Sequence, residues 1–208
     1  MSTTQQSSRS LTLRLISTLE TKMNYITEHL HCGEVLLESV SIEIQELSVA
    51  LTEHPWSATF SLETANSTLE HQAAYNKSLS IVLSEKGWQP QPRLSESPRL
   101  IGDFAKGLVF GEIQFGNSAT LYRDFYKFQY GFQNGLLSLA ILIVPNNEYA
   151  FFPTRRESVK NMANFGLALR YFTVLPISVP TIIYCLLADG EDASNKANSA
   201  DAKSRAAD

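Results

Sequence analysis

The sequence predicts an α/β fold, a mixed central β-sheet flanked by helices. Three observations predict it. Segments with apolar residues three and four apart alternate along the chain with short, almost wholly apolar runs. Hydrophobic residues make up 44% of the 208, enough for a sizeable core. Proline and glycine stand at the joints between segments.

In chain order, residues 1–10 are polar and expected to be disordered. Within "GEVLLESVSIEIQELSVALTEH", Leu37, Val40, Ile44, Leu47 and Leu51 recur at helical spacing, and Glu38, Glu43 and Glu46 occupy other faces. This predicts an amphipathic helix ending at His54 and Pro55. Residues 57–68, rich in Ser, Thr and Asn, read as a loop with room for a short strand. "LEHQAAYNKSLSIVLSEKGW" predicts a second helix, with Gly87 suited to its C-terminal end. "QPQPRLSESPRL" is a proline-broken connector. "LIGDFAKGLVFGEIQF" reads as two strands meeting near Lys106 and Gly107. "SATLYRDFYKFQYGFQN" is helical by the spacing of Leu121, Phe125, Phe128 and Phe132, with Tyr122, Tyr126 and Tyr130 widening the aromatic face. So wide a face suggests burial against the sheet and against a second subunit. "GLLSLAILIVP" predicts a buried strand, "RRESVKNMANFGLALRYF" a helix, and "ISVPTIIYCLLA" a last buried strand. Residues 189–208 lack large apolar side chains and should form a loose tail, leaving one domain over residues 11–188.

Formal net charge is -4, which argues against a uniformly basic coat. The charge is nevertheless uneven. Residues 11–70 hold 2 Lys/Arg against 9 Asp/Glu, whereas residues 71–187 hold 11 against 7. The basic part could face an anion, or the scatter could be a solvated surface. Cys32 and Cys185 lie in no CxxC pattern and read as buried thiols in a reducing cytoplasm. No apolar run is long enough to span a membrane, and the N-terminus lacks signal-peptide order. His29 and His31 have no partners at zinc spacing, and neither a P-loop nor a nucleophile elbow is present.

Asp103, Glu112 and Gln114 interrupt an apolar stretch. Glu112 and Gln114 stand two apart, so on a strand they share a face. Two carboxylates converging across adjacent strands make an oxygen-rich pocket for a hard cation such as Mg²⁺, with the backbone carbonyl of Ile113 as a further ligand. Such a cation suits phosphodiester hydrolysis. The alternative is that Asp103 caps a turn and the other two line the solvent face of an amphipathic strand.

"DFAKGLVFGEIQFGNSATLYRD" resembles the active-site segment of Type II restriction endonucleases of the BglII/BstYI type, within the PD-(D/E)xK nuclease superfamily. The shared features are the spacing from aspartate to glutamate, ExQ in place of the commoner ExK, and the following Phe-Gly. "SIEIQEL", "NKSLSIVLSEKGW" and "LPISVPTIIYCLLA" extend the likeness over roughly residues 35–188. The resemblance implies a restriction-endonuclease-like core and metal ligation by Asp103 and Glu112. Gln114 would orient water or a phosphate oxygen, since an amide cannot act as a general base. Gln91 would be a further polar group of the catalytic set. Asn76 would contact the DNA backbone, unless it caps its own helix.

For sequence reading, Arg155, Arg156, Lys160 and Asn161 offer base-edge and phosphate contacts. The Arg-Arg pair departs from the Ser-rich text of relatives, so the site could differ from the GATC-centred palindromes of the group. Lys127 and Asn134 are secondary candidates for DNA contact. The function implied is Mg²⁺-dependent cleavage of double-stranded DNA at a short palindrome, with Mn²⁺ able to substitute. A homodimer and a protecting DNA methyltransferase are its expected partners. The alternatives are a DNA-binding protein of weak activity and a repair or junction nuclease on the same scaffold.

Overall fold

The computed structural model describes residues 24–57, 59–65, 67–152 and 159–188. The expected disordered N-terminus and C-terminal tail lie outside these residues, as do Arg155 and Arg156. Strand β1 (Tyr25–Leu30) comes first, then α1 (Glu34–Ser39) and α2 (Ser41–Glu53). The single helix expected here is therefore two. The break falls at Val40, whose φ of -119° and ψ of 21° leave the helical region while its side chain stays buried. Strands β2 (Ser61–Glu63) and β3 (Thr68–Glu70) pair as a small ribbon where a loop with room for one short strand was expected. Helix α3 (His71–Glu85) follows and stops before Gly87, whose φ of +82° suits a residue without Cβ.

The proline-broken connector contains three short strands, β4 (Gln89–Pro90), β5 (Arg93–Ser95) and β6 (Leu100–Ile101). Then come β7 (Phe104–Lys106), β8 (Val109–Ile113), α4 (Thr120–Gln133), β9 (Leu139–Pro145), α5 (Glu148–Phe151), α6 (Phe165–Val174) and β10 (Thr181–Leu186). Of the helix predicted over residues 155–172, the described residues form helix only from Phe165. Asn164 caps it, its side chain accepting from the Leu167 amide at 2.9 Å, so Lys160 and Asn161 precede the helix.

The main sheet has six strands in the order β1-β10-β9-β8-β7-β4. The β8–β9 and β9–β10 pairs are parallel and the others antiparallel, so the sheet is mixed as expected. Helix α4 makes the crossover between parallel β8 and β9. Each face of the sheet has its own core. Leu139, Ile141 and Ile143 of β9 join one with residues of α2 and α3; Ala140, Leu142 and Val144 join the other with residues of α4 and α6. Burial on both sides explains why this strand reads as an unbroken apolar run. On the α2–α3 side Trp56 stacks on Phe115 and Phe151, at ring distances of 5.3 and 5.0 Å. Those contacts pin the chain just beyond Gln114. Among the described residues no helix is long and apolar enough to cross a membrane.

Candidate active site

Asp103 lies between β6 and β7, opposite the end of β8. Its amide donates to the Gly111 carbonyl at 3.0 Å, and its Oδ2 accepts from the Ile113 amide at 2.7 Å. The carboxylate thus takes the place of a backbone partner where β7 has not yet begun. An extended residue points its N–H and C=O to the same strand edge, so the Ile113 carbonyl opens on the side of Asp103.

Two glycines make this close approach possible. A Cβ at Gly111 would come within 2.1 Å of the Phe104 ring, and one at Gly102 within 2.2 Å of the Phe110 ring. Each aromatic residue therefore lies over a glycine of the other segment. These two Gly-Phe contacts hold the backbones of Asp103 and Glu112 together.

Phe110, Glu112 and Gln114 alternate with Val109, Ile113 and Phe115. Phe110 packs in the core on the α4 side, and Glu112 and Gln114 also meet α4. At 5% and 8% exposure, they exclude the solvent-facing alternative. Glu112 Oε1 accepts from Lys127 Nζ at 2.7 Å. Gln114 Nε2 donates to Asp124 Oδ2 at 2.5 Å, and its Oε1 accepts from the Gly116 amide at 2.8 Å. Both ends of the Gln114 amide are thus engaged within the protein. Orienting a water or a phosphate, the role expected of it, requires one end to be released.

The electrostatics follow from burial. The Glu112 carboxyl is held well above the usual range, first by desolvation, then by the charges of Asp124 and Asp103, with Lys127 opposing. Asp103 is also raised, mainly by desolvation, while the Ile113 amide and Lys127 pull the other way. Two carboxylates therefore meet one buried ammonium, and the charge of Asp103 acts on Glu112 from beside them. Such a cluster favours a further cation.

Asp103 and Ile113 line a cleft of about 430 Å³ together with Gln91, Pro90, Phe104 and three residues of α3, namely Asn76, Lys77 and Ser80. The structure thus brings Asn76, Gln91 and Asp103 together. Asn76 is the sixth residue of α3, which rules out a role in capping that helix. Its Oδ1 is buried without a hydrogen-bond partner among the described residues. Gln91 has φ +50°, a left-handed backbone uncommon for a residue with Cβ, and its amide donates to the Asp103 carbonyl at 3.1 Å.

Of the remaining expected residues, those described do not line this cleft. Lys127 is 4% exposed and ion-paired, so the expected DNA contact on an outer helix face gives way to a place inside the site. Asn134 ends α4, donating to the Tyr130 carbonyl at 2.8 Å, and does not line the cleft. Asn161 lines a second cleft of about 300 Å³ with Gln72 and Asn117. Lys160 is exposed nearby. Sequence reasoning missed Asp124, Lys77 and Ser80. Asp124 left a signal: with Leu121, Phe125 and Phe128 it falls on the apolar stripe of α4, where an unpaired charge is costly.

Asp103 Oδ1 and Glu112 Oε2 make no hydrogen bond to another described residue. With the Ile113 carbonyl they are hard oxygen donors of the kind that Mg²⁺ takes, one or two carboxylates with waters kept. Among the described residues no group of three or more His, Cys, Asp or Glu is placed to hold a metal ion, so the donor set rests on the two carboxylates and the carbonyl.

Comparison with known proteins finds a family model, restriction endonuclease BglII/BglIII, matching residues 25–185. Among solved structures, the fold is similar to restriction endonuclease BglII complexed with a DNA 16-mer. The TM-score is 0.65 and the identity 17%, over 82% of this chain and 79% of that one. No curated protein matches.

Proposed function

The chain belongs to the restriction endonuclease BglII/BglIII family, and on that premise we propose that it is a Mg²⁺-dependent Type II enzyme that cuts double-stranded DNA at a short palindrome. The observation that carries the proposal is the joining of Asp103 and Glu112 in one electrostatic cluster at the edge of a cleft that also presents Asn76 and Gln91. Asp103 Oδ1, Glu112 Oε2 and the Ile113 carbonyl would hold the cation, which when bound supplies Lewis acidity toward a phosphate oxygen.

The chain's own residues do the rest. Asn76 and Gln91 offer amide groups that hydrogen-bond the scissile strand within the cleft. Lys77, exposed at the cleft wall, adds positive charge for a phosphate. Gln114 supports the cluster from behind and serves the reacting phosphate only if its amide lets go of Asp124 or Gly116. Base reading falls to Arg155, Arg156, Lys160 and Asn161, with a GATC-related palindrome as the first site to try.

A palindrome calls for two-fold symmetry, hence a homodimer. The outer face of α4 supports one, since it exposes Tyr122, Tyr126 and Phe132. The proposed setting is a single nuclease domain over residues 11–188, working in the cytoplasm beside a methyltransferase that protects the host's copies of the site.

The test is digestion of unmethylated phage DNA with Mg²⁺, beside EDTA and the Glu112→Ala variant. Discrete fragments from the wild type with metal alone support the proposal. Uncut DNA from a protein that still binds duplex in low salt would leave the binding-only reading, and preference for branched substrates would leave the junction nuclease.

A further inference from the structure

We propose that Asp124 and Lys127 of α4 are positioning residues, a buried clamp that fixes Glu112 for the cation and braces Gln114 beside it. The inference rests on the reading of this cleft as a metal-dependent nuclease site.

A helix packed on a sheet buries its apolar stripe, and α4 places two charged residues within it. Asp124 is 0% exposed and Lys127 4%. Lys127 Nζ lies 2.7 Å from Glu112 Oε1 and 3.1 Å from Asp124 Oδ1. Asp124 Oδ2 accepts from Gln114 Nε2 at 2.5 Å. A single pair three residues apart on the helix thus touches both polar side chains of β8. The chain of bonds continues through Gln114 to the Gly116 amide, the turn that follows the strand.

Stability alone does not account for such a pair. Apolar side chains of similar volume in a buried site usually serve the fold as well or better. Positioning does account for it. Lys127 engages Oε1 and so leaves Oε2 as the oxygen that Glu112 presents to a cation. Asp124 in turn faces Lys127 by charge alone, its Oδ1 at 3.1 Å without a hydrogen bond. Partners of this kind, one bond removed from the metal, commonly change metal affinity or activity by about 10- to 100-fold.

The test uses the full-length protein, with Mn²⁺ as the probe, and compares Mn²⁺ binding by electron paramagnetic resonance, thermal melting, and kcat and KM for cleavage. The double variant Asp124→Leu/Lys127→Met removes one negative and one positive charge. Net charge is unchanged, and affinity is compared at the pH plateau of binding, where proton competition at Glu112 has ended, so that a lost affinity reports position. The expected result is a folded protein that binds Mn²⁺ about 10- to 100-fold more weakly and has reduced kcat, with KM for DNA little changed. Asp124→Asn keeps the side-chain shape and serves if the double variant does not accumulate; it removes one charge, so it is read on kcat against KM as well as on Mn²⁺ affinity, with an expected loss of about tenfold. Wild-type Mn²⁺ affinity and kcat in a folded variant would show the pair to be structural only. A raised KM with unchanged kcat would also overturn the clamp, pointing to DNA contact instead. A wild type that neither binds Mn²⁺ nor cleaves would remove the underlying reading, an outcome plainly distinct from the other two.

Discussion

Lys127→Met should be among the most damaging conservative changes this fold can suffer. Lys127 is the buried cation beside Glu112 and Asp124, at 2.7 and 3.1 Å. Methionine fills the volume but leaves two carboxylates facing each other in a low-dielectric space. Removing one partner of a buried pair costs about 3–5 kcal/mol. At roughly 2–4 °C per kcal/mol for a domain of this size, melting should fall by roughly 6–20 °C. Lys106→Met provides the scale. Lys106 Nζ bonds both Glu46 oxygens, at 2.8 and 2.7 Å, yet both side chains are 26% exposed, so about 1 kcal/mol is expected.

The loss at Lys127 should also depend on pH. Glu112 is held well above the usual carboxylate range, so it binds its proton more tightly in the folded protein than in the unfolded chain. Stability from this group is therefore greatest near or below the unfolded pKa of about 4.3 and declines as pH rises toward the folded value. Removing the ammonium raises that folded value further and widens the window of decline. Urea unfolding of both variants at several pH values, without divalent cations, reads the effect. A Lys127→Met loss no larger than that of Lys106→Met, and flat with pH, would refute the buried charge cluster.

Added Mg²⁺ or Mn²⁺ should raise the melting temperature more at about pH 8 than at about pH 5, because the cation must displace protons from two carboxyls with raised pKa; an equal rise at both would argue against Asp103 and Glu112 as ligands. Gly111→Ala forces a Cβ against the Phe104 ring and should cost about 1–3 kcal/mol in chemical unfolding, with cleavage falling as Asp103 shifts. Gln91→Gly tolerates the φ of +50°, so stability should hold or rise by about 1 kcal/mol while cleavage drops by about a hundredfold; full activity would remove Gln91 from the site. Tyr126→Glu places a charge on the exposed face of α4, and sedimentation should show a monomer where the wild type is a dimer.

Residue spacing was enough to locate most of the elements. The helices at α2, α3 and α4 and the strands β8, β9 and β10 each carry a period or an apolar run within a single segment, so each is visible locally. β1 was not visible, since an edge strand paired only with β10 buries little and "YITEHL" alternates weakly. The break at Val40 and the late start of α6 were hidden too, because packing and an Asn164 cap override helical spacing there. Asp103, Glu112 and Gln114 stood out as polar residues in an apolar stretch, and their order carried the family resemblance. Only the tertiary structure decided that Glu112 and Gln114 face a helix and not water. It alone brought Asn76 and Gln91 to Asp103, and it turned Lys127 from a candidate surface contact into a buried partner of Glu112. The physical reason is range. Periodicity reports how one segment divides between inside and outside, whereas the fate of a charge depends on what the opposite segment, 15 residues away in this case, places against it.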